Sequence, residues 1–137
     1  GSLPDILYVP SSGSPALAQA AAAVGTGVTT IGSLQWSGLP ADQFAALDKA
    51  CFTGPDPQRF DRLSANFEAQ LGEDMGVLGA LAVDAVAFAK STGTPARLSG
   101  AKPIDGLLGR TAFRSDRTCE RALSVLRISG GGVVRVA

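Results

Sequence analysis

The first fifty residues carry two alternating patterns of apolar and polar positions. Leu3-Pro4-Asp5-Ile6-Leu7-Tyr8-Val9-Pro10 is a short, mostly apolar run closed by proline, as in a buried strand. Ser14 then supplies an N-cap and Pro15 a first helical position for Ala16 to Val24. Leu17, Ala20, Ala21 and Val24 share one face of that helix, and Gly25 suits its end. Val28-Thr29-Thr30-Ile31-Gly32 returns to strand. Strand, helix, strand at this spacing predicts a parallel βαβ unit, because parallel neighbours need a crossover. The small alanine face predicts a helix lying close to its sheet. A sheet that opens at residue 3 implies earlier strands, so the chain reads as the C-terminal part of a larger fold.

Further on, Leu39-Pro40-Ala41-Asp42 opens a short helix through Leu47, and Lys49 to Thr53 forms a third strand, stopped by Gly54-Pro55-Asp56-Pro57. Asp56 and Pro57 then start a helix with the stripe Phe60, Leu63, Phe67, Leu71, ended by Gly72. A second helix runs from about Asp74 to Ser91, with Leu78, Leu81, Ala82, Ala85, Val86 and Ala89 inward, and Gly93-Thr94-Pro95 breaks it. Arg110 to Arg114 reads as a strand with a turn at Ser115-Asp116-Arg117. Ala122–Ile128 and Val133–Val136 are β-rich runs joined by Ser129-Gly130-Gly131-Gly132, a hairpin.

Composition narrows the chemistry. Apolar residues make up 45% of 137, enough for a core, and twelve basic residues balance twelve acidic ones. That balance offers no electrostatic grip on nucleic acid. Arg110, Arg114, Arg117 and Arg121 form the one basic cluster, and Asp116 and Glu120 among them mark a solvated turn. The chain has no histidine, hence neither the commonest general base nor the commonest zinc ligand. No metal, cofactor or catalytic residue is expected. The longest apolar stretch, Val77 to Ala89, is too short for a membrane span and is interrupted by Asp84. Asp84 has no second carboxylate at helical spacing and reads as a structural hydrogen-bond acceptor. Cys51 and Cys119 could form a disulfide worth roughly 4 kcal/mol in the chain-entropy model, or stand as two separate thiols.

The order of several short motifs carries a resemblance. These are Ile31-Gly32-Ser33 with Trp36, Cys51-Phe52, Phe60…Phe67…Leu71-Gly72, Val83-Asp84-Ala85-Val86-Ala87, and Leu107-Leu108-Gly109-Arg110-Thr111-Ala112-Phe113-Arg114-Ser115-Asp116-Arg117. Together they resemble the C-terminal part of type I periplasmic binding proteins of the branched-chain amino-acid class. Within that class they are most similar to bacterial penicillin-binding-protein activator lipoproteins. Gly106, Gly109, Phe113, Asp116 and Arg121 occupy the places of that family's tail pattern. Val83 stands where the family often has tyrosine, and Arg117 where it has a turn glycine.

The resemblance implies an α/β fold: a partial type I periplasmic-binding fold, with a parallel βαβ sheet, flanking helices and a C-terminal hairpin. It implies that about 1–52 and 101–137 belong to a second lobe and about 56–93 to helices of the first. The polar loops after the first two strands are then ligand loops, with Ser11, Ser12, Gln35 and Trp36 as the binding candidates, Trp36 reading equally as a buried structural tryptophan. A parallel sheet binds ligands at those strand ends, and the following helix N-terminus can hold an anion. The implied function is non-catalytic and extracytoplasmic: binding of a small polar ligand such as an amino acid or peptidoglycan fragment. The alternative is a lipoprotein regulator of a penicillin-binding protein, anchored through a leader outside this chain. A missing N-terminal fragment or a second copy of the chain would complete the fold.

Overall fold

The computed structural model describes residues 4–73, 75–93, 101–116 and 118–136. The expected helix start at Asp74, the break at Thr94-Pro95 and the turn residue Arg117 lie outside them. The chain forms two compact units, Gly1–Pro57 with Ser124–Ala137, and Gln58–Leu123.

The first unit holds the predicted βαβ. Strands β1 (Ile6–Val9), β2 (Thr29–Gly32) and β3 (Cys51–Gly54) are parallel neighbours, with α1 (Ser14–Gly25) between the first two. Ser14 is the first helical residue rather than the cap. Gly13 takes the cap position, and the left-handed residue after the helix is Gly27 at φ 81°. A short helix α2 (Ala41–Phe44) and one 3-10 turn at each side of it, Leu34–Gly38 and Ala45–Leu47, fill the β2–β3 connection. The hairpin strands, numbered seventh and eighth in the chain, add antiparallel to β3 and complete the order β1-β2-β3-β7-β8, with β7 at Ser124–Ser129 and β8 at Gly132–Arg135. Gly130 and Gly131 both have positive φ, as a two-residue hairpin turn matching strand twist requires.

Register sorts the sheet into two faces, since side chains alternate along each strand. The inner face carries Val9, Phe52, Leu126 and Ile128, packed with Ala20 of α1, Trp36 and Leu47. The other face carries Ile6, Tyr8, Val125 and Val134, all exposed.

In the second unit α3 (Pro57–Leu71) and α4 (Gly76–Thr92) accompany a three-stranded antiparallel sheet of β4 (Ile104–Gly106), β5 (Gly109–Phe113) and β6 (Cys119–Arg121). Phe60, Leu63 and Phe67 point inward, as their spacing predicts, toward Met75, Ala80 and Leu108, but Leu71, the fourth residue of the predicted stripe, is exposed in the last turn of the helix. The inward face of α4 is not the predicted one. Ala80, Asp84 and Phe88 are buried, whereas Leu78 is 81% exposed and Leu81 and Val86 are also exposed. The reason is Asp84. Its Oδ1 accepts from Leu107 N at 2.6 Å, and its Oδ2 from Leu108 N at 3.3 Å and Arg121 Nη1 at 3.0 Å. A buried carboxylate must face its donors, and the helix turns to suit it. Phe88, one turn on, meets Phe113 edge to face at 4.9 Å.

Because β4 to β6 pair among themselves and Leu108 joins the helices' core, residues 101–123 belong to this unit. The chain returns to the first unit at Ser124, whereas the resemblance implies a second-lobe portion from about 101. In the β5–β6 turn, Asp116 Oδ1 accepts from Thr118 Oγ1 and Thr118 N. These bonds, the hydroxyl's first, hold its carboxyl below the usual 3.8.

Both cysteines are free, the second of the two alternatives the sequence leaves open. Cys51 lies half-buried in β3 of the first unit and Cys119 exposed in β6 of the second. Thiol titration of the unreduced chain in denaturant should return two thiols, and a count of zero would establish a bridge instead.

Candidate functional site

All three parallel strands point their carboxyl ends to one edge of the sheet. From that edge leave the loop Pro10–Gly13, the 3-10 segment after Ser33, and Gly54-Pro55-Asp56. Two bonds tie the first loop to the second. Trp36 Nε1 donates to Ser11 O at 3.1 Å, and Ser33 Oγ donates to Pro10 O at 2.5 Å. Ser33 Oγ also accepts from Gln35 N at 3.2 Å, which starts the 3-10 turn and throws Trp36 back under the sheet.

Gly32 makes that return possible. On the inner face it sits in a row between Val9 and Phe52. A Cβ at Gly32 would lie 2.2 Å from the Trp36 ring, so the indole occupies the space a side chain would take. Trp36 is fully buried, with its ring 6.1 Å from that of Phe52. Gly54 repeats the device at the end of β3, where a Cβ would meet Leu126 Cδ1 at 2.7 Å and Ser37 Oγ at 2.8 Å. That Ser37 hydroxyl is buried and has no hydrogen-bond partner among the described residues.

The four predicted site residues therefore divide. The structure brings Ser11 and Trp36 together, but through the Ser11 carbonyl. Trp36 cannot offer an indole face to a ligand and leaves the candidate set, because its ring fills the core and its one donor is used. Ser11 Oγ accepts from Gly13 N at 3.1 Å and closes the loop. Ser12, half-buried, and Gln35, exposed, make no side-chain hydrogen bond among the described residues and keep their polar groups available. The sequence marks Gly32 and Ser33 only as part of a motif with Trp36 and not as the residues that do the positioning. Their signal was a glycine ending a strand, then a hydroxyl residue, four residues before a lone tryptophan.

No charged residue occurs from Ile6 to Ala41, so neither loop carries a formal charge. The α1 N-terminus has no side-chain cap and no acidic residue in its first turn, which leaves its positive dipole end uncompensated. The nearest charges in this edge's third loop are paired: Asp56 Oδ2 accepts from Arg135 Nη1 at 3.1 Å. Among the described residues no three His, Cys, Asp or Glu side chains come together as a metal site would require. No helix among them is long and apolar enough to cross a membrane. Two cavities flank α1, one of about 340 Å³ against Leu17, Asp42 and Leu47, the other of about 280 Å³ against Leu7, Ala22 and Val28. Neither is lined by Ser11, Ser12, Gln35 or Trp36.

No family model matches the chain, and no curated protein matches its sequence. Solved structures do match its fold. The C-domain of LpoA from Haemophilus influenzae, a regulator of PBP1A, superposes with a TM-score of 0.60 at 18% identity, over 100% of this chain and 46% of that one. The leucine binding protein LivK from Thermotoga maritima gives 0.67 at 14% identity, over 98% and 44%. A solute binding protein from R. palustris in complex with benzoate gives 0.69 at 20% identity, over 97% and 42%. The chain thus spans less than half the length of these structures and carries part of the type I periplasmic-binding fold. These neighbours are binding and regulatory proteins rather than enzymes.

Proposed function

We propose that this portion of a type I periplasmic-binding fold is a non-catalytic, extracytoplasmic solute-binding module. Its ligand is small and polar, and meets the loops that follow β1 and β2. The observation that carries the reading is the locked pair of loops. Trp36 and Ser33 hold two uncharged loops side by side at the carboxyl ends of adjacent parallel strands, with Ser12 half-buried and Gln35 exposed on them. The uncapped α1 N-terminus favours a carboxylate over a cation, since its free amides donate and no loop carboxylate competes. Leucine and benzoate, named for two of the similar structures, both carry such a group. Ser12 and Gln35 orient the ligand by hydrogen bonding, and neither supplies a nucleophile activated by a base.

Thermal-shift measurement on the complete protein tests this with leucine, benzoate and short peptidoglycan fragments. A ligand at about 100 times its Kd adds about 2.7 kcal/mol to stability. That should raise Tm by several degrees, and Gln35→Ala with Ser12→Ala should abolish the rise while leaving the unliganded Tm nearly unchanged. No shift with any of them would overturn the reading.

A second reading has its own support. Two loop hydroxyls, Ser11 and Ser33, are already engaged within the protein, and one similar structure is a regulator of PBP1A. On that reading the module is a lipoprotein regulator of a penicillin-binding protein and transports no small ligand. Co-elution of a purified penicillin-binding protein with the complete protein, together with a flat thermal-shift screen, would favour it.

A further inference from the structure

The hairpin strand β8 is an edge of the five-stranded sheet. Bonded and non-bonded residue pairs alternate along two antiparallel strands, and the bonded residues turn their N–H and C=O groups to the partner strand. Val136 N donates to Val125 O at 2.8 Å, so by alternation Val134 and Gly132 also face β7, opposite Arg127 and Ser129. Val133 and Arg135, opposite Ile128 and Leu126, turn their backbone groups the other way. On that side no further strand lies among the described residues. Natural sheets blunt such an edge with proline, lysine or a bulge. β8 contains neither residue, and its register with β7 is unbroken. Its one charge is engaged at home, since Arg135 Nη1 donates to Asp56 Oδ2 at 3.1 Å.

We infer that this edge joins a second copy of the chain, β8 to β8, in a two-fold antiparallel pair centred on Val134. That register sets Val133 of each copy opposite Arg135 of the other, so every outward N–H and C=O of the two strands meets a partner. Val134 then stands directly against Val134, as a close, non-hydrogen-bonded pair. Other two-fold registers are poorer. Centring on Val133 sets Arg135 opposite Gly131, which sits in the turn at φ 77°, and centring on Arg135 brings like charges together. Two observations select a copy over a foreign strand. The register is self-complementary, as a two-fold interface requires. The charges also permit it: twelve basic residues balance twelve acidic ones, so two copies carry no net repulsion. Arg127 of one copy lies three strand spacings from Arg127 of the other, about 14 Å, beyond the screening length of physiological salt. Four residues make a small contact, so the pair is weak and reversible. Antiparallel pairing sends the strand-end loops of the two copies to opposite edges of the joined sheet, so ligand binding and pairing are independent.

Disulfide trapping tests the register on the complete protein, with its native thiols replaced, Cys51→Ser and Cys119→Ser among them. Val134→Cys should give a covalent dimer under oxidised glutathione. Val133→Cys should not, because its counterpart lies two residues along the neighbouring strand, beyond the roughly 7 Å between Cα atoms that a disulfide spans. Val134 is 41% exposed, so its substitution leaves the core intact. Val134→Lys sets two ammonium groups against each other and should weaken self-association in sedimentation equilibrium at least roughly tenfold. Mixing it with Val134→Glu should restore the pair as a heterodimer, which also shows that both variants fold. Equal trapping at Val133 and Val134, no trapping at Val134, or self-association unchanged by Val134→Lys would overturn the inference. None of these readouts involves Ser12 or Gln35, so a failed ligand screen leaves them standing.

Discussion

Replacing Asp84 by alanine should cost the second unit about 3–5 kcal/mol, the usual penalty for breaking a buried ion pair from one side. The carboxylate is 2% exposed as a residue and accepts from two backbone amides and one guanidinium. Its removal leaves Leu107 N, Leu108 N and Arg121 without an acceptor in a space too closed for water to replace it freely. Gly106 shows how closed it is, since a Cβ there would lie 2.5 Å from Asp84 Oδ2. Asp84→Asn keeps one acceptor oxygen and should lose less. The double variant Asp84→Leu, Arg121→Met separates the two contributions. It removes the unpaired charge but still orphans both amides, so it should recover only part of the loss. Denaturant unfolding of the three variants checks the order. If Asp84→Ala unfolds within about 0.5 kcal/mol of the parent, the range of an ordinary surface change, the network is not holding the β4–β5 turn.

Gly32→Ala should be the most damaging single methyl in the first unit. The new Cβ would fall 2.2 Å from the indole of Trp36, and real side chains do not approach so closely. Either the ring leaves its pocket or the strand shifts, and the loss should approach the roughly 3–5 kcal/mol of a Trp→Ala truncation. Because both changes break one contact, they should not add. In a Trp36→Ala background the Gly32 methyl enters vacated space, and its further cost should be near zero. Trp36→Phe should fall between, keeping apolar volume but losing the bond to Ser11 O. Tryptophan fluorescence reports the same event, since a displaced indole meets water and its emission shifts to the red. Full additivity of the Gly32→Ala and Trp36→Ala losses would show that the ring is not what excludes the methyl.

Much of the architecture was legible because it rests on local patterns. The βαβ opening, the α3 stripe of Phe60, Leu63 and Phe67, and the glycine hairpin each depend on residues close in sequence. The inward face of α4 was not legible. Its apolar residues surround the helix, so hydrophobicity alone does not choose a face. Asp84 chooses it, through donors 23, 24 and 37 residues away. The candidate site was half legible. Ser12 and Gln35 are where loops after parallel strands should be. The choice between a buried and a ligand-facing Trp36 was not legible, because its depth depends on the absence of a side chain at Gly32.

Periodicity and turn chemistry alone thus established a parallel α/β body with polar, uncharged loops at its strand ends, because each depends on spacing within a few residues. Long-range contacts settled which side chains those loops present, which face of α4 is buried, whether the thiols meet, and which sheet face stays open. Each of those turns on whether a donor finds an acceptor, or a ring finds room, across tens of residues. Linear spacing does not encode that proximity; the folded chain supplies it.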